Sequence, residues 1–134
     1  MIYTVTLNPA LDKTVQIPNF RPGEVNRIAA LRTDPGGKGI NVSKVLHALA
    51  EPSVAAAILG GAAGQRIADA LQAIGVEGLF LFTQHETRTN LKLIDPVQHT
   101  NTDINEPGAP VPPGTADALL EKLTARLADG DLVV

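Results

Sequence analysis

Two segments of this chain pass from an apolar β-type run, through glycines, into apolar residues at helical spacing, and few folds accommodate that. Ser53 to Leu59 runs through Val, Ala, Ile and Leu and stops at Gly60-Gly61. Ala63, Ile67, Leu71 and Ile74 then mark a helix, with Gly75 as its C′ stop. Ile2 to Leu7 is a β-branched, apolar strand closed by Asn8-Pro9. Farther on, Gly36, Gly37 and Gly39 precede Val42, Val45, Leu46 and Leu49, the i, i+3, i+4, i+7 positions of an amphipathic helix. Strands alternating with helices predict an α/β fold, a parallel sheet with right-handed crossovers and helices against it.

The remaining segments predict a second, smaller layer. Thr14 to Ile17 and Arg27 to Thr33 alternate in polarity and are separated by Pro18, Pro22 and Gly23. Residues 89–94 and 101–105 pair across the polar linker Pro96 to Thr100, and 79–82 form a short strand of the main sheet. The small layer, at about 12–34 and 88–105, is expected over the carboxyl ends of the parallel strands, where ligands of open α/β sheets bind. Pro107 to Gly114 is a loop. Thr115 caps a helix that presents Leu119, Leu120, Leu123 and Leu127 to the core and closes at Asp129-Gly130. Asp131 to Val134 reads as the opening of a buried strand, so residues 1–134 are expected to be the amino-terminal part of one domain, truncated at the carboxyl end.

Composition narrows the function. Eleven Lys and Arg against fourteen Asp and Glu give a net charge of −3, without the basic footprint of a nucleic-acid binder. There is no cysteine, and His47, His85 and His99 lack metal-ligand spacing, so no metal site is expected. Four aromatic residues are too few for a single-strand stacking platform. The amino terminus carries no basic, apolar leader and no run reaches the length of a membrane span, so the expected location is the cytoplasm.

Chemistry concentrates at Gly36-Gly37-Lys38-Gly39-Ile40-Asn41. Glycines let a ligand approach the backbone, and a helix amino terminus favours an anion or a strongly polar group. The loop suits a phosphate or a polyhydroxyl sugar; the alternative is a helix start kept small for packing. It is not a P-loop, because Arg32 and Gly39 stand where that motif needs Gly and Ser or Thr. Asp12 can accept hydrogen bonds from sugar hydroxyls or simply form the turn after Asn8-Pro9. Arg27 and Arg88 suit a phosphate, or are solvated surface residues.

Five segments in order, Thr6 to Asp12, Val25 to Arg27, Gly36 to Ser43, Thr87 to Lys92 and Ile104 to Gly108, resemble the amino-terminal half of the ribokinase-like (PfkB) family of sugar kinases. The segment Arg88-Thr89-Asn90-Leu91-Lys92 looks more like members acting on fructose 1-phosphate than those acting on tagatose 6-phosphate. The resemblance implies a ribokinase-like sheet with a β lid, and transfer of the ATP γ-phosphoryl group, with Mg²⁺, to a phosphosugar hydroxyl. It implies that Asp12 binds sugar hydroxyls while Gly36, Gly37 and Asn41 shape the floor. Lys38, Arg27 and Arg88 would contact the substrate phosphate, with Asn90 beside them, and the lid strands would join two protomers. The family's Gly-x-Gly-Asp segment, with its catalytic Asp, and its ATP pocket lie in the carboxyl-terminal half, so this span alone is expected to be inactive. A non-catalytic sugar-phosphate-binding or dimerisation module is the reading from a different class.

Overall fold

The computed structural model describes residues 1–134 as two four-stranded sheets and three helices. The first sheet is wholly parallel. It contains β1 (Ile2–Thr6), β4 (Ser53–Gly60), β5 (Glu77–Thr83) and β8 (Leu132–Val133) in the order β5-β4-β1-β8. β4 is buried at all eight positions, as expected for a central strand covered on both faces. On one face Ala55, Ala57 and Leu59 meet Ile40 of α1 (Lys38–Ala48) and Ile67 and Leu71 of α2 (Gly61–Ala73). On the other, Ala56 and Ile58 meet Leu119, and Val54 meets Leu123, both leucines of α3 (Thr115–Thr124).

The second sheet has the order β3-β2-β6-β7, from β2 (Ala10–Gln16), β3 (Ala30–Gly36), β6 (Arg88–Asp95) and β7 (Thr100–Asn105). Two antiparallel hairpins, β2–β3 and β6–β7, are joined by a parallel β2–β6 pairing. β2 starts just after the carboxyl end of β1 and β6 just after that of β5, so the small sheet rises from the carboxyl edge of the large one, the edge at which open α/β sheets bind ligands. Its apolar face packs Val15, Ile17 and Leu93 against Phe20 and Leu91. Asp95 ends β6 and accepts backbone N–H bonds from Asn19, Phe20, Val97 and Gln98 at 2.7–3.1 Å. Burial raises its pKa, but the four N–H donors outweigh that and hold the carboxyl below its ordinary value.

Several expectations are corrected. Val45 and Leu49 of α1 are exposed, because the helix is fixed through Ile40 and Ser43, whose hydroxyl shares a buried 2.8 Å bond with Thr4. Val42 and Leu46 of the same stripe are half-buried, so only its Val45 and Leu49 positions turn to solvent. α3 is entered through Gly114, left-handed at φ 77°, so Thr115 is its first helical residue and makes no side-chain cap. The helix ends at Thr124, whose hydroxyl bonds back to the carbonyls of Leu120 and Glu121, and not at Asp129-Gly130. Leu120 is exposed, and Leu127 lies beyond the helix. β8 pairs in parallel with β1 at the edge of the sheet, as the apolar run suggests, with Leu132 and Val133 exposed, and Asp131 before it holds the Met1 ammonium at 2.7 Å. That ammonium and the Ala128 N–H lower the Asp131 pKa against the effect of burial.

Candidate active site

The site begins where β1 ends. Thr6 Oγ1 accepts from the Ile40 N–H at 3.1 Å, pinning the first turn of α1 to the end of β1. That approach requires glycine at 39, because a Cβ there would lie 2.7 Å from the Val5 carbonyl oxygen and 2.7 Å from Thr6 Oγ1. Gly37, at φ 130°, turns the chain from β3 into the helix. Asn41 and Lys44, one helical turn apart, then face the small sheet across a cleft.

The opposite wall is the polar face of the small sheet. Asp12 of β2 and Asn90 of β6 are direct partners in the parallel register, and Asn90 Nδ2 donates to Asp12 Oδ1 at 3.0 Å. The Asn90 Oδ1 atom is buried without a partner. The cleft encloses about 520 Å³, with Asp12, Thr14, Asn41, Lys44, Asn90 and Lys92 on its walls. Asp12 is thus a strand residue aimed into a cleft, and the turn after Asn8-Pro9 forms without it.

A second hollow of about 390 Å³ is lined by Asn8, Gly37, Lys38, Gly39 and Arg88, and Asn41 borders both. The Arg88 guanidinium spends three of its five N–H donors within the protein. It donates to the carbonyls of Pro9 (3.4 Å), Glu106 (3.1 Å) and Asn8 (3.2 Å), clamping the β1–β2 turn to the segment after β7. Asn8 Nδ2 donates to the Pro107 carbonyl at 3.1 Å, and Glu106 accepts from the Thr89 N–H at 2.8 Å, closing the same clamp. The glycine turn before α2 is filled from inside, because Glu86 accepts from the N–H groups of Ala62 and Ala63. The turn before α1, by contrast, opens onto a cleft.

The structure therefore brings Asp12, Gly36, Asn41 and Asn90 together, and Gly37, Lys38 and Arg88 next to them. Arg27 is separate. It lies exposed in the loop between β2 and β3 and lines neither hollow, and β3 starts at Ala30 and not at 27. Asn26 explains the displacement, since its amide bonds the Arg21 N–H and the carbonyls of Arg21 and Glu24 and rolls residues 21–26 into a loop. Sequence reasoning missed Lys44, whose signal was its i+3 spacing from Asn41. It also missed Thr14 and Lys92, each two strand positions from a residue it did select.

Residues 5–134 match the pfkB family of carbohydrate kinases. The 1-phosphofructokinase of Rhodobacter capsulatus is 40% identical over 129 residues, which are 96% of this chain and 41% of that protein. Escherichia coli phosphofructokinase-2 solved with fructose-6-phosphate superposes with a TM-score of 0.92 at 28% identity, covering 98% of this chain and 43% of its own. A tetrameric inhibited form of that enzyme superposes with a TM-score of 0.90 at 28% identity, over 98% of this chain and 43% of its own. The chain spans about two fifths of the length of these relatives.

Proposed function

The chain belongs to the pfkB family of carbohydrate kinases, and from that membership we propose that it forms the sugar-binding part of a 1-phosphofructokinase, which phosphorylates fructose 1-phosphate to fructose 1,6-bisphosphate at the expense of ATP. One observation supports this reading above the others. Asp12, Asn41 and Asn90 lie far apart in sequence yet line one polar cleft beside the glycine turn. Asp12 accepts ketose hydroxyls and the Asn41 amide donates to the same sugar, so the substrate is held between the small sheet and α1. Lys38 and Arg88 supply positive charge in the adjoining hollow. Arg27 reaches the ligand only if its loop or a second protomer brings it there.

The resemblance places ATP, its metal and the proton-accepting Asp of a Gly-x-Gly-Asp segment, which this chain does not contain, in sequence outside these residues. In this reading the 134 residues alone give no phosphoryl transfer. In this reading the small sheet is a lid, and its apolar face, with exposed Leu31 and Ile104 at the edges, joins two copies in a cytoplasmic homodimer.

The test is an ADP-release assay on a chain of the relatives' length carrying these residues, offered fructose 1-phosphate, fructose 6-phosphate and tagatose 6-phosphate in turn. Turnover should be most efficient with fructose 1-phosphate. Asp12→Ala should lower kcat/KM roughly tenfold to a hundredfold, the range for a lost charge-assisted hydrogen bond. Preference for tagatose 6-phosphate would move the assignment to that kinase, and ATP-independent binding of a ketose phosphate without turnover would favour a binding module.

A further inference from the structure

Three cations line the main cleft: Arg32, Lys44 and Lys92. Two of them are neutralised locally, Arg32 by Asp34 at 2.6 Å and Lys92 by Asp103 at 4.0 Å. Lys44 has no carboxylate within 4.0 Å. Its ammonium is held by neutral acceptors, the Pro35 carbonyl at 3.0 Å and Asn41 Oδ1 at 3.4 Å. An ammonium carries three N–H donors, so one remains for the cleft. Across from it stands Asp12, which has no cation within 4.0 Å and is bonded only to the neutral Asn90 amide.

We infer that Lys44 is the anion contact of this cleft and receives the phosphate of the ketose phosphate whose hydroxyls Asp12 accepts. The inference rests on the proposed sugar-kinase reading and adds to it a residue that neither the motifs nor the resemblance selected. The cleft presents one uncompensated cation and one uncompensated anion on walls built by different elements. That pattern matches a ligand with a phosphate at one end and hydroxyl donors at the other. A partly buried charge without a counter-charge is costly, so an incoming phosphate gains more at Lys44 than at an exposed lysine such as Lys38. Arg88 keeps two of its five N–H donors but lines the adjoining hollow and not this cleft.

The experiment is calorimetric titration of the full-length kinase with fructose 1-phosphate and, separately, with unphosphorylated fructose. Lys44→Met keeps the aliphatic stem and removes the charge. It should raise the Kd of fructose 1-phosphate about tenfold to a hundredfold, the equivalent of one charge-assisted bond, with fructose binding unchanged. Lys44→Arg should recover most of the loss, and the wild-type affinity should fall with added salt more steeply than that of Lys44→Met. Unchanged affinity for fructose 1-phosphate in Lys44→Met overturns the inference while leaving the kinase reading intact. Equal losses for both ligands overturn it too, because a merely structural lysine behaves that way. If Lys44→Met does not fold, the salt dependence and Lys44→Arg carry the test, and a salt-independent Kd in the wild type counts against it. A wild-type protein that binds neither ligand removes the kinase reading and this inference together.

Discussion

Gly36→Ala puts the site's geometry to its most direct test. Gly36 is buried and its φ lies outside the left-handed region, so the backbone accepts alanine, and the damage comes from the Cβ alone. That atom would overlap Asp12 Oδ2 and lie 2.6 Å from Asp12 Cγ and 3.0 Å from Oδ1. Ordinary contact starts at 3.4 Å, so Cγ must retreat by about 0.8 Å. A shift of that size along the Asn90–Asp12 bond takes it from 3.0 Å past hydrogen-bond range. Losing a bond to a carboxylate costs about 1.5–3 kcal/mol, and an off-rotamer Asp adds ~0.5–1.5 kcal/mol if it is forced to tilt. Charged to the binding-competent geometry, the bond alone corresponds to a loss of roughly tenfold to a hundredfold in kcat/KM. Steady-state kinetics on the full-length enzyme should show this with the ketose phosphate varied, and an unchanged KM for ATP. In an Asp12→Ala background the same Gly36→Ala change should have almost no effect, since there is no carboxylate left to displace. A normal KM in the single variant, or an undiminished defect in the double, would refute the claim that Gly36 exists to make room for Asp12.

Two further outcomes concern the scaffold. Thr4→Val and Ser43→Ala each leave one buried hydroxyl of the Thr4–Ser43 pair unpaired and should each cost about 1–3 kcal/mol in urea unfolding, whereas the double variant should cost much less than the sum. Strict additivity would show that the pair does not couple β1 to α1. Asp95 has a folded pKa below the ordinary carboxylate value, so its stabilisation is complete above about pH 4 and is lost as pH falls through the lowered value. Asp95→Asn, which presents one acceptor oxygen to four N–H donors, should lower the melting temperature at pH 7 and flatten its dependence on pH below 4. An identical acid limb in wild type and variant would count against this role.

Much of this architecture was legible in the sequence because local signals and tertiary burial agreed. The β4 run, the glycines after it and the Ile67–Leu71 face of α2 all serve one core, so pattern and structure coincide. The pairing of β6 with β7 follows from alternation on either side of a polar linker. Disagreement appears where a contact distant in sequence overrides the local pattern. The apolar stripe Val42-Val45-Leu46-Leu49 is periodic, yet Thr4 and Thr6 hold α1 by Ser43 and Ile40, which leaves Val45 and Leu49 in solvent, and no helical period records those bonds. Arg88 was selected for its charge, and its additional part as a clamp is hidden because its backbone acceptors come from segments about 80 residues earlier and 18 residues later. Asp12 and Asn90 were selected singly. Their direct bond depends on a strand pairing across 78 residues.

That pairing makes the polar wall of the cleft a matter of alignment as much as of composition. A slide of one residue between β2 and β6 would turn one member of the couple to the opposite side of the sheet. A slide of two would set Arg88 or Lys92 against Asp12 in place of Asn90. The acid would then be quenched by a neighbouring base and have little left to offer a sugar. Mutations that loosen the parallel seam, even on its greasy reverse side at Val15 or Leu93, are therefore expected to disorder the Asp12–Asn90 couple before they unfold the protein.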